Sequence, residues 1–174
     1  MTSSLPSRLL VDVAELRRRP GTRRALQAEI EIPNLEAGER SIVDGRLVLD
    51  VVVESVMEGV VAAGTVAGVW RAPCRRCVDD MDEAFVADFR EVFERSPTEG
   101  ETLPLENEQI DLTPVAREHS LLSIPLAPLC RDDCEGPDPR RFPTGPFIDL
   151  EPDLEEKPAG DPRWAALDAL TFDD

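Results

Sequence analysis

The sequence predicts an α+β fold: an antiparallel β-meander with one main helix packed on a face, then an acidic, proline-rich tail ending in a short helix. Three observations lead there. Apolar residues recur with a period of two in several consecutive runs before residue 95, with a period near 3.6 in one later run, and not at all in a proline- and acid-rich stretch after Cys134. At 174 residues the chain fits one domain with tails, divided as an α+β domain over 1–135, an acidic linker over 136–162 and an amphipathic helix over 163–170.

Leu9, Val11 and Val13 alternate against Leu10 and Asp12 and start the fold. Pro20 and Gly21 mark a turn, and Arg17, Arg18, Arg19, Arg23 and Arg24 make it a basic loop. Leu26 to Ile32 is the first clear strand, with Leu26, Ala28, Ile30 and Ile32 on one face. Leu47 to Val53 is the second, with Leu47, Leu49, Val51 and Val53 inward. Val60 to Trp70 is the third, interrupted by Gly64 and Gly68, which signal bulges or close backbone approach. Ala84 to Phe93 is the fourth; Phe85, Ala87, Phe89 and Phe93 share a face broken only by Glu91. Ser55 to Gly59 reads as a hairpin connection, and Arg71 to Glu83 joins the third and fourth strands.

Ser96 to Gln109 is acidic and reads as a loop. The helix spans about Asp111 to Ile124, with Leu112, Val115, Ala116, His119 and Leu122 on one face. Asp111 or Thr113 can cap it, Pro114 is tolerated in its first turn, and Pro125 and Pro128 end it. Near the C-terminus, Trp164, Leu167 and Leu170 fall at helical spacing, on a segment that either docks on the domain or binds a partner.

The net charge of -17 is unevenly distributed. Residues 1–78 carry 11 basic and 10 acidic side chains; residues 79–174 carry 8 and 26. The second half repels phosphate backbones and attracts basic partners, or else keeps a tail solvated. The arginine loop is the one sequence-local basic cluster able to touch RNA phosphate; its plain alternative is a solvated turn. No run approaches the roughly 20 apolar residues of a bilayer span, and the N-terminus lacks signal-peptide order, so a cytoplasmic location is expected.

Cys74 and Cys77 form a C-x-x-C, and Cys130 and Cys134 a C-x-x-x-C. Two close pairs brought together by a fold supply the four corners of a tetrahedral zinc site. Structural thiols without metal and a redox pair at Cys74–Cys77 are the alternatives; a thioredoxin-like pair, however, opens a helix, and this one lies between strands. His119, the lone histidine, sits on the apolar face of the helix, where packing is its expected role. No nucleophile elbow, phosphate loop or paired catalytic carboxylates emerge, so a non-enzymatic protein is expected. A small enzyme is kept as the competing class.

Three segments together resemble the YceD family of large-subunit ribosomal RNA accumulation proteins. They are Glu54-Ser55-Val56-Met57-Glu58-Gly59-Val60 with its glycine-bearing strand; Cys74-Arg75-Arg76-Cys77 with the strand ending Asp88-Phe89-Arg90-Glu91-Val92-Phe93; and Ile110-Asp111-Leu112-Thr113-Pro114-Val115 through Leu121-Leu122-Ser123-Ile124-Pro125 to Cys130. The closing Asp161-Pro162-Arg163-Trp164-Ala165-Ala166-Leu167 is similar to the end of high-GC Gram-positive members. The resemblance implies a ribosome-biogenesis factor supporting accumulation of 23S rRNA. Its implied partners are a basic large-subunit ribosomal protein, the 23S rRNA precursor, or both, with no membrane and no small-molecule substrate. It carries over no catalytic residues. Many relatives continue with Gly-Leu-Cys-x-x-Cys-Gly where this chain reads Gly136-Pro137-Asp138-Pro139-Arg140-Arg141-Phe142. If relatives bind zinc through that segment, the site is lost here; if they use the separated pairs, it is retained on Cys74, Cys77, Cys130 and Cys134, the preferred reading because it uses all four cysteines.

Overall fold

A computed structural model describes residues 5–141. In chain order these form β1 (Leu10–Asp12), a 3-10 turn (Leu16–Arg18), β2 (Arg23–Glu31), β3 (Glu36–Ala37), β4 (Arg40–Ser55), β5 (Gly59–Pro73), β6 (Asp80–Glu94), β7 (Leu103–Glu106), β8 (Gln109–Asp111) and α1 (Thr113–Leu122). One curled sheet, a half-barrel, runs in the order β1-β8-β7-β6-β5-β4-β2, with β3 paired to β4 off that path.

The expected α+β class is corrected by this architecture. The described residues are mostly strand, and α1 is their single α-helix. Two physical causes account for the difference. The ladders extend past the apolar runs, because each added residue gains a backbone bond on a template already in place: β4 has 16 residues where the alternation marked seven. And the expected acidic loop over 96–109 contains β7 and the start of β8, a tight hairpin turning at Asn107 and Glu108, both at positive φ (51° and 60°). The meander itself is present, since β2-β4-β5-β6 are antiparallel neighbours. The sheet is not wholly antiparallel: β6 and β7 pair in parallel through Phe93↔Leu103 and Glu94↔Pro104. The expected helix over 163–170 and the linker from 142 to 162 lie outside the described residues.

Period-two patterning sets the two faces. Leu47, Leu49, Val51 and Val53 are at most 1% exposed, while Val48 and Val52 on the opposite face are 50% and 41% exposed. Ile30, Val60, Ala62, Val66, Trp70, Phe85, Phe89 and Phe93 complete the same inner layer. α1 covers it with Val115 and Ala116, and Leu112 just before the helix is buried with them. Leu122, expected on that face, is 73% exposed, and Ser120 takes the buried place with its hydroxyl donating to the Arg117 carbonyl at 3.0 Å. Glu91, the polar break in the β6 apolar face, meets His119 Nε2 at 3.1 Å, and the His119 ring stacks obliquely on Phe89 with centroids 5.7 Å apart. The lone histidine therefore partners a carboxylate that the alternation had forced inward.

The helix start is held from two sides. Asp111 Oδ1 accepts the Thr113 N–H at 2.9 Å, and Thr113 Oγ1 accepts the Leu9 N–H at 2.9 Å. The second bond makes Thr113 a tie between the first strand and the helix. In the middle of the sheet, β5 crosses β4 so closely at Gly64 that a Cβ there would lie 2.0 Å from the Asp50 carbonyl oxygen and 2.8 Å from Val51 Cα.

Replacing Gly64 by valine is expected to destabilise the domain by about 2–3 kcal/mol, because backbone atoms cannot yield as side chains do. Chemical denaturation measures it. Gly100→Ala, in open space at φ +79°, costs only the left-handed backbone term of about 1–2 kcal/mol.

Candidate metal centre and arginine loop

The first cysteine pair sits on the tight turn between β5 and β6. Cys74 N–H donates to the Asp79 carbonyl and Val78 N–H to the Cys74 carbonyl, both at 2.9 Å. The turn forces Val78 to φ 66°, a left-handed conformation that opposes its branched Cβ. The second pair lies beyond α1, where Pro125 and Pro128 end the helix and turn the chain back. Arg75 N–H donates to the Pro128 carbonyl at 2.9 Å. The Arg76 guanidinium donates to the carbonyls of Asp132 and Cys134, each at 2.9 Å. Arg76 thus clamps the second loop onto the first. The C-x-x-C spacing assigns Arg76 no role of its own; a long donor side chain inside the motif is the signal that points to one.

The four sulfur atoms of Cys74, Cys77, Cys130 and Cys134 all lie within 4.8 Å of one another. Cys74 Sγ is 3.9 Å from Cys134 Sγ, and Cys77 Sγ is 3.8 Å from Cys130 Sγ. A sulfur tetrahedron around a cation with bonds of about 2.3 Å has edges of about 3.8 Å. All four cysteines are free, and these separations are far from the roughly 2.05 Å of a disulfide. Cys74 and Cys134 are buried, Cys77 is half-buried and Cys130 exposed, so one side of the cluster opens to solvent.

Backbone donors converge on Cys74. Its sulfur accepts the N–H groups of Arg76 at 3.5 Å and Cys130 at 3.4 Å. Hydrogen bonds from the Cys77, Cys130 and Arg76 backbones lower its pKa to about 6. Cys77 goes the other way: the Asp79 backbone pulls its pKa down, but burial and the Cys74, Cys130 and Cys134 sulfurs push it up to about 12. Cys130 is likewise raised, first by the Cys134 thiol and then by burial. The surroundings therefore favour the thiolate at Cys74 and disfavour it at Cys77 and Cys130. A cation satisfies that arrangement by replacing their protons.

The five arginines proposed for RNA contact lie at the other end of the domain. They do not share one loop as the sequence suggests: Arg17 and Arg18 lie in the 3-10 turn, Arg19 follows it, and Arg23 and Arg24 open β2, because β2 extends its ladder with β4 past the apolar run. The turn between them is tied to the β4–β5 hairpin by Gly21 N–H to Ser55 O at 2.7 Å and Ser55 N–H to Thr22 O at 3.0 Å. The length of β5 separates hairpin from cysteine turn, roughly 45–50 Å for its 15 residues. The five are not equivalent. Arg17 pairs with Glu108 at 2.6 Å, a carboxylate shared with Arg95. Arg23 pairs with Glu54 at 3.1 Å, and Arg24 donates to the Asp12 carbonyl. Arg18 and Arg19 are exposed and make no ion pair among the described residues. They line an open cleft of about 470 Å³.

These features define a strand-rich domain with a four-cysteine centre that could hold a metal ion. The chain belongs to the YceD family: the profile described as large ribosomal RNA subunit accumulation protein YceD matches residues 62–171. An uncharacterised protein of Mycobacterium tuberculosis is 34% identical over 170 residues, covering 92% of this chain and 80% of the relative. The YlbN protein of Bacillus subtilis is 30% identical over 115 residues, 63% of this chain and 65% of the relative. A Mycobacterium leprae protein is 29% identical over 142 residues, 76% and 65% of the two chains. No solved structure matches. The family description places this chain in large-subunit ribosomal RNA accumulation. No described helix is long and apolar enough to cross a membrane.

The Arg76 clamp gives a direct test of the centre. Arg76→Ala leaves all four sulfurs in place but frees the second loop. It is expected to weaken cation binding by roughly 10–100-fold, measured by competition with a chromophoric chelator.

Proposed function

We propose that this protein is a non-enzymatic assembly factor. Its acidic half holds a basic large-subunit ribosomal protein, while Arg18 and Arg19 touch the 23S rRNA precursor. The observation that carries this reading is the uneven charge of the described residues. Arg18 and Arg19 are exposed without an ion pair near the β4–β5 hairpin, while residues 79–94, which include β6, carry seven carboxylates against Arg90. A protein built in this way can meet a cationic chain and a phosphate backbone at once, without one interaction cancelling the other. Arg17, Arg23 and Arg24 are occupied by the fold, so RNA contact rests on the remaining two of the five.

Zinc is the cation proposed for Cys74, Cys77, Cys130 and Cys134, with a structural role. Four thiolates at tetrahedral spacing suit it, and no position is left over for substrate. The same convergence of four sulfurs favours this over a Cys74–Cys77 redox pair, since the close sulfur contacts run between the two motifs. Bound there, zinc joins the β5–β6 turn to the segment after α1. Purified under reducing conditions without chelator, the protein is expected to contain about one zinc per chain by elemental analysis. Cobalt substitution should show the intense charge-transfer absorption of a tetrathiolate site. Cys134→Ser should lower zinc retention and thermal stability together. A metal-free preparation that is equally stable would overturn the assignment.

Salt titration tests the partner reading. Binding to basic ribosomal proteins is expected to weaken steeply with salt and to disappear on charge reversal in the acidic half. Replacing Arg18 and Arg19 by alanine should leave that binding intact and lower the log–log salt slope of rRNA association by roughly 1.4–1.8. Tight binding of naked rRNA by the acidic half, or turnover of a small molecule, contradicts the proposal.

A further inference from the structure

β6 is bonded along its whole length to β5, from Gly59↔Glu94 to Pro73↔Asp80. On its other side it meets β7 only at Phe93 and Glu94. In an antiparallel pair, alternate residues direct their N–H and C=O groups away from the partner strand. Between Asp80 and Val92 those outward groups have no backbone or side-chain partner among the described residues. Such an edge is a template for another strand, and proteins usually shorten, bulge or cover it. Here it is long and regular.

The side chains beside the edge specify what it would accept. On the outer face, Ala84 and Val86 are exposed, Val86 at 71%. They continue an apolar row through Ala67 to Val48, by the registers Ala67↔Val86 and Val48↔Ala67. On the inner face, Phe85 and Ala87 reach the same margin. A strand added here would set its alternating side chains against both sets. Between Asp79 and Glu94, however, the chain carries seven carboxylates and one arginine, Arg90. That balance repels a second copy of the same edge. It also repels this chain's own residues 142–174, which carry nine carboxylates against Lys157 and Arg163. It attracts an extended segment whose apolar residues alternate with lysine or arginine.

We infer that the free edge of β6 is a β-strand-addition site for a basic extended polypeptide segment of the partner. The inference rests on the partner reading above and gives that partner a docking mode. Backbone hydrogen bonds supply the attachment, and the carboxylates supply the selection by charge.

The test uses the full chain and a ten-residue peptide of alternating lysine and valine. The peptide is expected to bind, and to slow amide exchange at residues 80–92 and nowhere else in the sheet. N-methylation of the peptide at the residues facing β6 removes its donors while keeping its charge, and should weaken binding by about tenfold or more. A glutamate–valine peptide should not bind. Val86→Pro should abolish binding; should that variant fail to fold, the N-methylated peptide decides. Equal affinity for the N-methylated peptide, or exchange unaltered at 80–92, overturns the inference. If whole basic ribosomal proteins still bind with the salt dependence described above, the partner reading survives that failure. If the peptide docks as expected and no ribosomal protein binds, the edge site stands and the partner reading falls.

Discussion

The register of β5 between β4 and β6 is the constraint on which the rest of the molecule depends. One strand of 15 residues fixes Val51 opposite Gly64 on one side and Phe89 opposite Gly64 on the other. A slip of one residue would turn Val60, Val66 and Trp70 outward and bring Thr65, Val69 and Arg71 inward. Gly64 opposes such a slip because only a residue without a side chain fits beneath the Asp50 carbonyl. The same register puts the two termini of β5 at the two ends that carry the candidate sites. One emerges at the hairpin that anchors the arginine loop, the other at the turn that carries Cys74 and Cys77. Both sites inherit their positions from the ladder, which explains how two short, irregular segments can be placed so definitely.

The strands of the central meander were legible in the sequence because one buried face leaves a period-two record. β4 shows this best, with four inward aliphatic residues alternating against Val48, Asp50 and Val52. The hairpin β7–β8 was not legible, because its strands have four and three residues and lie among glutamates. So short a run cannot display a period, and its pairing is imposed by neighbours: β8 bonds to β1, nearly 100 residues earlier in the chain, through Val11↔Ile110. Class assignment failed for that reason. Counting one helix against four strands suggested α+β, whereas the polar strands and the extended ladders make the described structure mainly β. On the helix, periodicity located the face but gave a buried place to Leu122, which is 73% exposed, while Ser120 and Ile124 are the buried residues at that end.

The cysteine cluster was legible for a different reason. Spacing within each pair is local information, and the choice of partner pair needs only that four cysteines be the whole supply. What spacing could not reveal is how the loops are held. That depends on Arg75 and Arg76, whose main chain and guanidinium group reach carbonyls more than 50 residues away. The arginine loop shows the opposite limit. Its composition advertised five cations, but composition carries no account of which ones the fold consumes. Asp12, Glu54 and Glu108, spread over almost 100 residues, consume three.

The sulfur cage also sets an order of events during synthesis. Cys74 and Cys77 leave the ribosome more than 50 residues ahead of Cys130, an interval of several seconds at ordinary elongation rates. During that interval β2, β4 and β5 can pair, while the first two sulfurs wait without their counterparts. The cage cannot nucleate folding, because closing it means bringing together segments that only the finished sheet and helix align. The four sulfurs can come together only once the sheet has formed. A nascent chain held up before Cys130 emerges would present a nearly complete meander with two unengaged thiols, the state in which a cell's metal supply or oxidants have most access to it.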